Sequence, residues 1–409
     1  MLSITRLTAF VAIAALAKAQ TPTSFPKPIL CQGPACANPT ITTTTPSTTV
    51  VAGTTSTTTN TFVINELDYQ DMSVIRRNNA ANDNDPLYYR FAKANHTGLG
   101  LTVATAPALR GPWNYAYEIL NPQKTSLLSP IATDPPVLNV WAPEIHYLNQ
   151  QYYLYYGLNT PPFTFDQCIA TSPDMSEGSW TDHGSMGIPE APQEVPLGET
   201  YEIPKYVRLD GSLLAPAGDP HSVTDDRYMV FGSYQFGLYG FQLSSDLLSL
   251  QPDSPVREII IDQYNPAPDA GNKTEGAYLL QHGDYNYLFY SIGQCCASPA
   301  DGADAVYRVE VCRGPAGSVT GPYVDRNGID CLTGGYRREG TVVLFSSDDG
   351  EVYAPGSPGV INDPVEGLCM YYQYQNNTVQ PGPPGLNWGY NYLEFDEEGW
   401  PVLVAERPI

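Results

Sequence analysis

An aromatic-rich run of four or five residues recurs five times along this 409-residue chain, and that recurrence limits the folds open to it. The runs are Tyr88-Tyr89-Arg90-Phe91, Tyr152-Tyr153-Leu154-Tyr155-Tyr156, Tyr228-Met229-Val230-Phe231, Tyr287-Leu288-Phe289-Tyr290 and Cys369-Met370-Tyr371-Tyr372. Their first residues lie 64, 76, 59 and 82 apart, an irregular spacing but always of the order of one small sheet. Short aromatic and β-branched runs punctuated by Gly, Pro and Asn read as strands, and helical periodicity is almost absent after residue 63. A second strand follows the first two runs with a shared ending. Thr102 to Pro107 leads to Gly111-Pro112-Trp113, and Ile169 to Pro173 leads to Gly178-Ser179-Trp180. Phe241 to Leu247 is a shorter echo, and Val309 to Gly321-Pro322-Tyr323 a longer one. One supersecondary unit repeated five times predicts an all-β, five-bladed β-propeller, because radial repetition removes long exposed sheet edges. A two-domain β-sandwich is the alternative, and it does not predict matched strand pairs.

The repeats occupy residues 63–409, and the chain before them has a different character. Arg6 precedes the apolar run Leu7 to Leu16, and Ala17-Lys18-Ala19 supplies small residues where a signal peptidase reads. This pattern predicts a secretory signal over 1–19, cleaved before Gln20; an N-terminal anchor helix is the rival reading. Residues 20–62 hold Cys31 and Cys36 and then a Thr/Ser/Pro-rich tract that cannot bury a core and resembles an O-glycosylated stalk. The expected product is a secreted, extracellular monomer. Eight cysteines in an oxidising compartment are expected to pair, with a connectivity that the sequence leaves open. No CxxC supports a zinc site, and the adjacent Cys295 and Cys296 are expected to act as staples with other partners. Sequons at Asn95, Asn272 and Asn376 are compatible with N-glycosylated surface loops.

A net charge of −23 argues against nucleic acid or an anionic membrane as partner, and it disfavours a polyanionic substrate. A neutral glycan suits this surface. The 29 tyrosines point to strands first and to sugar stacking second.

In a propeller the innermost strand of each blade lines the axis, so side chains there converge from distant positions. Reading back from each aromatic strand gives Asp71, Glu144, Asp210 and Glu275 near the axis of four blades, and Ala354-Pro355-Gly356-Ser357 in the fifth. Acids in apolar strands are costly to bury unless paired or functional, and crowded acids push their pKa values apart. Glycoside hydrolysis needs that separation: one carboxyl keeps a proton for the leaving oxygen while another stays ionised.

From residue 63 onward the chain resembles the family 43 glycoside hydrolases, and within them the arabinanases. The resemblance rests on Asp71 to Arg76, Trp141-Ala142-Pro143, Asp210-Gly211-Ser212 with Val230 to Ser233, Thr274 to Tyr278, Leu288 to Cys296, Gly321-Pro322-Tyr323 and Gly399 to Val402. It implies an inverting hydrolase acting on an arabinofuranoside. Asp71 is then the general base, Glu275 the general acid, and Asp210 the neighbour that tunes the acid's pKa. Inversion needs room for a water, so Asp71 and Glu275 are expected about 6.5–9.5 Å apart. Two positions depart from the family pattern. Met72 follows Asp71 where proline is usual, leaving Asp85, before Pro86, as a rival base; and Ser357 stands where a histidine near a central metal is expected. The second departure weakens the case for calcium, and no cofactor or metal is expected to be required.

Around this set, Trp141, Tyr234 and Phe236 are candidates to bind sugar, with Tyr239 beside them, and Glu144 is a candidate to shape the pocket wall. His146 is read as structural. The leading function is cleavage of plant cell-wall arabinan. An exo-acting arabinofuranosidase, xylosidase or galactanase, and a catalytically decayed carbohydrate-binding propeller, are the alternatives.

Overall fold

The computed structural model describes residues 69–77, 88–94, 100–120, 139–160, 164–190, 206–233, 237–260, 274–295, 306–333, 340–378 and 386–405, with the backbone of strands Ile41–Val51 and Thr54–Ile64. The Thr-rich tract forms a two-stranded antiparallel ladder of its own. Every other element is a strand in one of five sheets, and among the described residues no helix is long and apolar enough to cross a membrane.

The five sheets are five propeller blades, each built from consecutive strands. Blade one runs Tyr69–Arg76, Tyr88–Ala94, Leu101–Ala106 and Asn114–Ile119. Blade two runs Asn139–Leu148, Gln151–Thr160, Thr164–Ser172 and Thr181–Ser185. Blade three opens on the short strand Ser212–Leu213 and continues with Tyr228–Phe231, Leu238–Gln242 and Arg257–Ile260. Blade four runs Thr274–His282, Tyr285–Ile292, Arg308–Pro315 and Thr341–Leu344, and Ala215–Pro216 from blade three adds a parallel strand to its inner edge. Blade five closes the chain with Tyr353–Asp363, Gly367–Gln375, Asn387–Phe395 and Pro401–Val404.

All five aromatic runs are the second strand of their blade, which explains their composition. A second strand is paired on both edges and covered on both faces by neighbouring blades, so aromatic area is buried on either side of the pleat. Tyr152, Tyr155, Tyr156, Tyr287, Tyr290, Tyr371 and Tyr372 are all at most 1% exposed. These tyrosines are therefore core residues, and the count of tyrosines says nothing about sugar. The apolar cores lie between blades: Phe91 and Leu101 of blade one pack with Leu154 and Tyr156 of blade two, and Phe289 of blade four with Met370 and Tyr372 of blade five.

The ring closes without a shared strand, since blade one is wholly amino-terminal and blade five wholly carboxy-terminal. Side chains make the joint instead. The Tyr371 hydroxyl accepts the Val74 N–H at 3.2 Å, and the Gln373 Oε1 accepts the Asp71 N–H at 2.7 Å. Tyr88 donates to Asp363, and the Arg110 guanidinium grips both oxygens of Glu366 at 2.9 and 3.1 Å. The Arg90 guanidinium, buried at the same joint, lies over Trp113 of its own blade and Trp388 of blade five, 4.7 and 5.8 Å from the ring centroids.

Among the described cysteines, Cys312 and Cys331 form a disulfide within blade four, whereas Cys168 is a buried thiol in blade two whose Sγ lies 3.8 Å from the Asp166 carbonyl. Complete pairing of the cysteines is thus corrected: Cys168 is a free thiol in an apolar cluster that contains no other cysteine among the described residues.

The joint is testable. Tyr371→Phe leaves the buried Val74 N–H without its acceptor, so it should destabilise the fold by about 1–3 kcal/mol in urea or thermal unfolding. Arg110→Ala removes an ion pair whose arginine is 47% exposed, so its effect should stay within about 1 kcal/mol.

Candidate active site

One local distortion, repeated in every blade, builds the site. In blade one Gln70 pairs with Lys93 and Ser73 with Phe91, so Asp71 and Met72 oppose a single residue, Ala92. The same two-against-one bulge occurs at Ala142-Pro143, Gly276-Ala277 and Ser357-Pro358. In blade three the Gly232 N–H bonds the Leu209 carbonyl and Ser212 pairs with Val230, which puts Asp210-Gly211 in the same position. The first bulge residue is left-handed in all five blades: Asp71 (φ 50°), Ala142 (45°), Asp210 (58°), Gly276 (59°) and Ser357 (48°). Such a bulge kinks the strand and re-aims one side chain, here toward the common axis. A left-handed non-glycine residue costs roughly 1–2 kcal/mol, and the ring accepts that cost four times.

Blade-to-blade hydrogen bonds fix these bulges against each other. The Gly276 N–H donates to Asp210 Oδ2 at 2.9 Å, the Ser357 N–H to Ser291 Oγ at 2.8 Å, and the Gly211 N–H to Gln167 Oε1 at 3.1 Å. The Ser357 hydroxyl donates to Asp71 Oδ1 at 2.9 Å. Glu275, one residue before its bulge, accepts from Ser233 Oγ at 3.0 Å and from the Tyr307 hydroxyl at 2.8 Å. Glycine is required at two points. A Cβ on Gly356 would lie 1.9 Å from the Tyr307 ring, and one on Gly276 would meet Ser291 Oγ at 3.2 Å and Ser357 Cα at 3.3 Å. Tyr307 reaches Glu275 because Gly356 has no side chain.

The structure therefore brings Asp71, Asp210 and Glu275 together, each half-buried at the axis. Their charges interact. Burial raises the Asp210 carboxyl well above the usual carboxylate range, and the neighbouring Glu275 and then Asp71 raise it further, against hydrogen bonds from Gly276 and Ser233. Burial also raises Asp71, but the Lys93 ammonium and hydrogen bonds from Ser357 and Gln373 oppose the rise. Both carboxyls are thus pushed toward their protonated forms by burial, but a cation opposes the shift at Asp71 whereas neighbouring acids add to it at Asp210.

Other candidates fall elsewhere. Glu144 does not join the carboxylates: it lies two residues beyond the Ala142 bulge, where Oε1 meets His146 Nε2 at 3.1 Å and Ser212 Oγ at 3.5 Å. Its counterparts in blades one and three are Ser73 and Ser212, whose hydroxyls accept the Ile145 and Leu279 N–H groups at 3.1 Å each. Glu144 is thus a hydrogen-bond acceptor in the blade-linking layer, and the blade-two residue equivalent to Asp71 is Ala142. His146 is 2% exposed and bonds Glu144 and the Ser222 carbonyl, a structural role. Trp141 is half-buried with Lys93 Nζ 2.9 Å from its ring centroid and Phe165 against it edge-on, so a charged group already occupies an indole face. Tyr239 is a core residue of blade three against Tyr206, not a cleft residue. Tyr234, Phe236 and the rival base Asp85 lie outside the described residues.

Sequence reasoning missed Lys93, Ser233, Tyr307 and Gln373. Ser233 lay inside a motif already singled out, behind Gly232; nothing in the local pattern marked the others, which sit on second strands or loops. As for a metal, Ser357 stands where the resemblance implies a histidine, and its hydroxyl proton is spent on Asp71. Among the described residues, no group of three or more His, Cys, Asp or Glu could hold a metal ion. This donor set does not fit a histidine-anchored ion.

Comparison with known proteins agrees with this architecture. The model of glycosyl hydrolases family 43 matches residues 61–401. The arabinan endo-1,5-alpha-L-arabinosidase A of Aspergillus niger is 34% identical over 341 residues, covering 81% of this chain and 90% of that protein. Among solved structures, an endo-arabinanase of family 43 from Bacillus licheniformis superposes with a TM-score of 0.59 at 23% identity, covering 82% of this chain and 98% of the other. The alpha-L-arabinanase of Cellvibrio cellulosa does so with a TM-score of 0.61 at 22% identity, over 83% of this chain and 96% of its own. The chain belongs to glycosyl hydrolases family 43, and it is a glycoside hydrolase built on a five-bladed β-propeller.

Proposed function

We propose that this protein is an endo-acting arabinanase that cleaves α-1,5-linked arabinofuranosyl chains of plant cell-wall arabinan with inversion. The observation that carries the reading is the convergence of Asp71, Asp210 and Glu275 from three blades on one pocket, with Asp71 and Asp210 held in different electrostatic settings. The name and 34% identity of the Aspergillus niger relative support arabinan as the substrate. A neutral glycan is also compatible with the net charge of −23.

In this mechanism Asp71 accepts a proton from a water as that water's oxygen forms a bond to the anomeric carbon. The glycosidic C–O bond breaks on the opposite face, and Glu275 gives its proton to the departing oxygen. The product is a reducing end of inverted configuration, and the enzyme regains its starting protonation by exchange with solvent. Burial and the neighbouring Glu275 favour the protonated form of Asp210. Ser233, hydrogen-bonded to both carboxyls, offers a path for that proton to Glu275 when sugar fills the pocket.

The working location is extracellular. The Arg6 to Ala19 pattern supports a cleaved signal, and the Cys312–Cys331 disulfide supports an oxidising compartment. Residues 20–62 form a glycosylated stalk, 63–409 the catalytic unit, and the enzyme acts as a monomer.

Digestion of linear arabinan, branched arabinan and arabinoxylan, with products sized over time, tests the assignment. Mixed arabino-oligosaccharides should appear early from linear arabinan. Free arabinose alone would replace endo by exo action, and binding without hydrolysis would make the protein a carbohydrate-binding propeller. Glu275→Gln and Asp71→Asn should each lower kcat about 10²–10⁴-fold with binding retained. Lys93→Met removes the cation that favours ionised Asp71. The carboxyl pKa then rises, the base is lost at a higher pH, and the acidic limb of the kcat/KM profile should move up; an unmoved limb would remove Lys93 from the reaction.

A further inference from the structure

The five equivalent bulges raise a question about the fifth. Glycine adopts positive φ freely, and blade four uses Gly276. Asp71 and Asp210 bring carboxyl groups to the pocket, which gives their strained backbone a purpose. Ser357 is also strained, and it has no place in the proton transfers. Strain alone does not mark it out, since Ala142 is equally left-handed and carries only a methyl group; its contacts do. Three contacts define what Ser357 does. Its N–H is held by Ser291 Oγ at 2.8 Å, its neighbour Gly356 is covered by the Tyr307 ring, and its hydroxyl donates to Asp71 Oδ1 at 2.9 Å. The serine is thereby clamped to blade four while its oxygen reaches across the ring joint to blade one.

We propose that Ser357 is a positioning residue for Asp71, its hydroxyl fixing the rotation of the carboxylate so that the attacking water meets it in one geometry. The proposal rests on Asp71 being the general base. The Asp71 backbone N–H is bound by Gln373, so backbone and side chain of the same residue are both held by blade five. The charged and titratable groups facing Asp71 are Lys93 on its own blade, Asp210 on blade three, and Tyr307 on blade four, with Glu275 beyond Asp210; Cys295 sits behind, against Gln70 and Gln373. Beside them the hydroxyl of Ser357 is a neutral donor on a backbone locked by a bulge, suited to orienting the carboxylate without adding charge.

Two substitutions separate this role from a structural one. Ser357→Ala removes the hydroxyl and keeps the backbone strain, whereas Ser357→Gly removes the hydroxyl and relieves it. Both should lower kcat about 10–100-fold, as expected for losing a hydrogen bond to a charged group, with KM changed much less. Both should also move the acidic limb of kcat/KM to higher pH, because the lost donor favoured ionised Asp71. Ser357→Gly should unfold no earlier than the parent. A serine kept only for structure would make Ser357→Gly indistinguishable from the parent in kcat and pH profile. That result, obtained while Asp71→Asn is inactive, overturns the positioning role. An active Asp71→Asn would instead overturn the assignment of Asp71, and the role of Ser357 with it.

Discussion

The structure depends on how blade five meets blade one. In a ring of five sheets, four joints follow from chain connectivity, but the fifth must be made by residues about 300 positions apart, such as Asp71 with Gln373 and Val74 with Tyr371. Closing so long a loop has an entropic cost that grows slowly with length, and a handful of well-placed contacts can offset it. Here those contacts are buried hydrogen bonds, a bidentate ion pair and an arginine lying over two tryptophans. Two of the bonds end on Asp71 itself, so the joint and the pocket share an atom set. Closure of the fold and organisation of the site are one event at that place.

Electrostatics then distinguishes Asp71 from Asp210. Both are partly open to the pocket yet ringed by protein, so burial disfavours their charges. Asp71 has a lysine acting on it as the main counterweight, while Asp210 has two further acids beside it. The carboxyl groups differ because of what surrounds each bulge, since the bulges themselves are alike. Lys93 also lies over Trp141, so the same side chain covers one indole face and supplies a cation.

The blades were legible in the sequence because a strand buried on both faces must be aromatic and β-branched for its whole length. All five such runs stand where the repeat put them. Asp71, Asp210 and Glu275 were legible for a related reason: each lies in the segment that leads into its aromatic strand. Glu144 stands two residues past its bulge, where it bonds His146 and Ser212. A bulge shifts register at that point, and two residues separate a pocket side chain from a blade-linking one. Lys93, Tyr307 and Gln373 carried no local signal, since their roles arise from neighbours in other blades or across a strand pair. The glycines beside them, Gly356 and Gly276, were visible only as residues of familiar motifs, not as the space into which Tyr307 and Ser357 fit.

The five bulges have a consequence for how such a molecule can change. Each presents its first side chain outside the interblade clusters that hold the fold, so Asp71, Asp210 and Ser357 take no part in those cores. The ring is in effect a turret with five sockets of similar backbone shape, of which four carry a side chain and the fifth, at Gly276, has no room for one. Ala142 is a socket fitted with only a methyl group. A new hydroxyl, amide or acid there would enter the pocket at an angle already set by the backbone. Chemistry in this architecture can thus be exchanged one blade at a time, while the tyrosine-filled seams that keep the ring intact are left as they are.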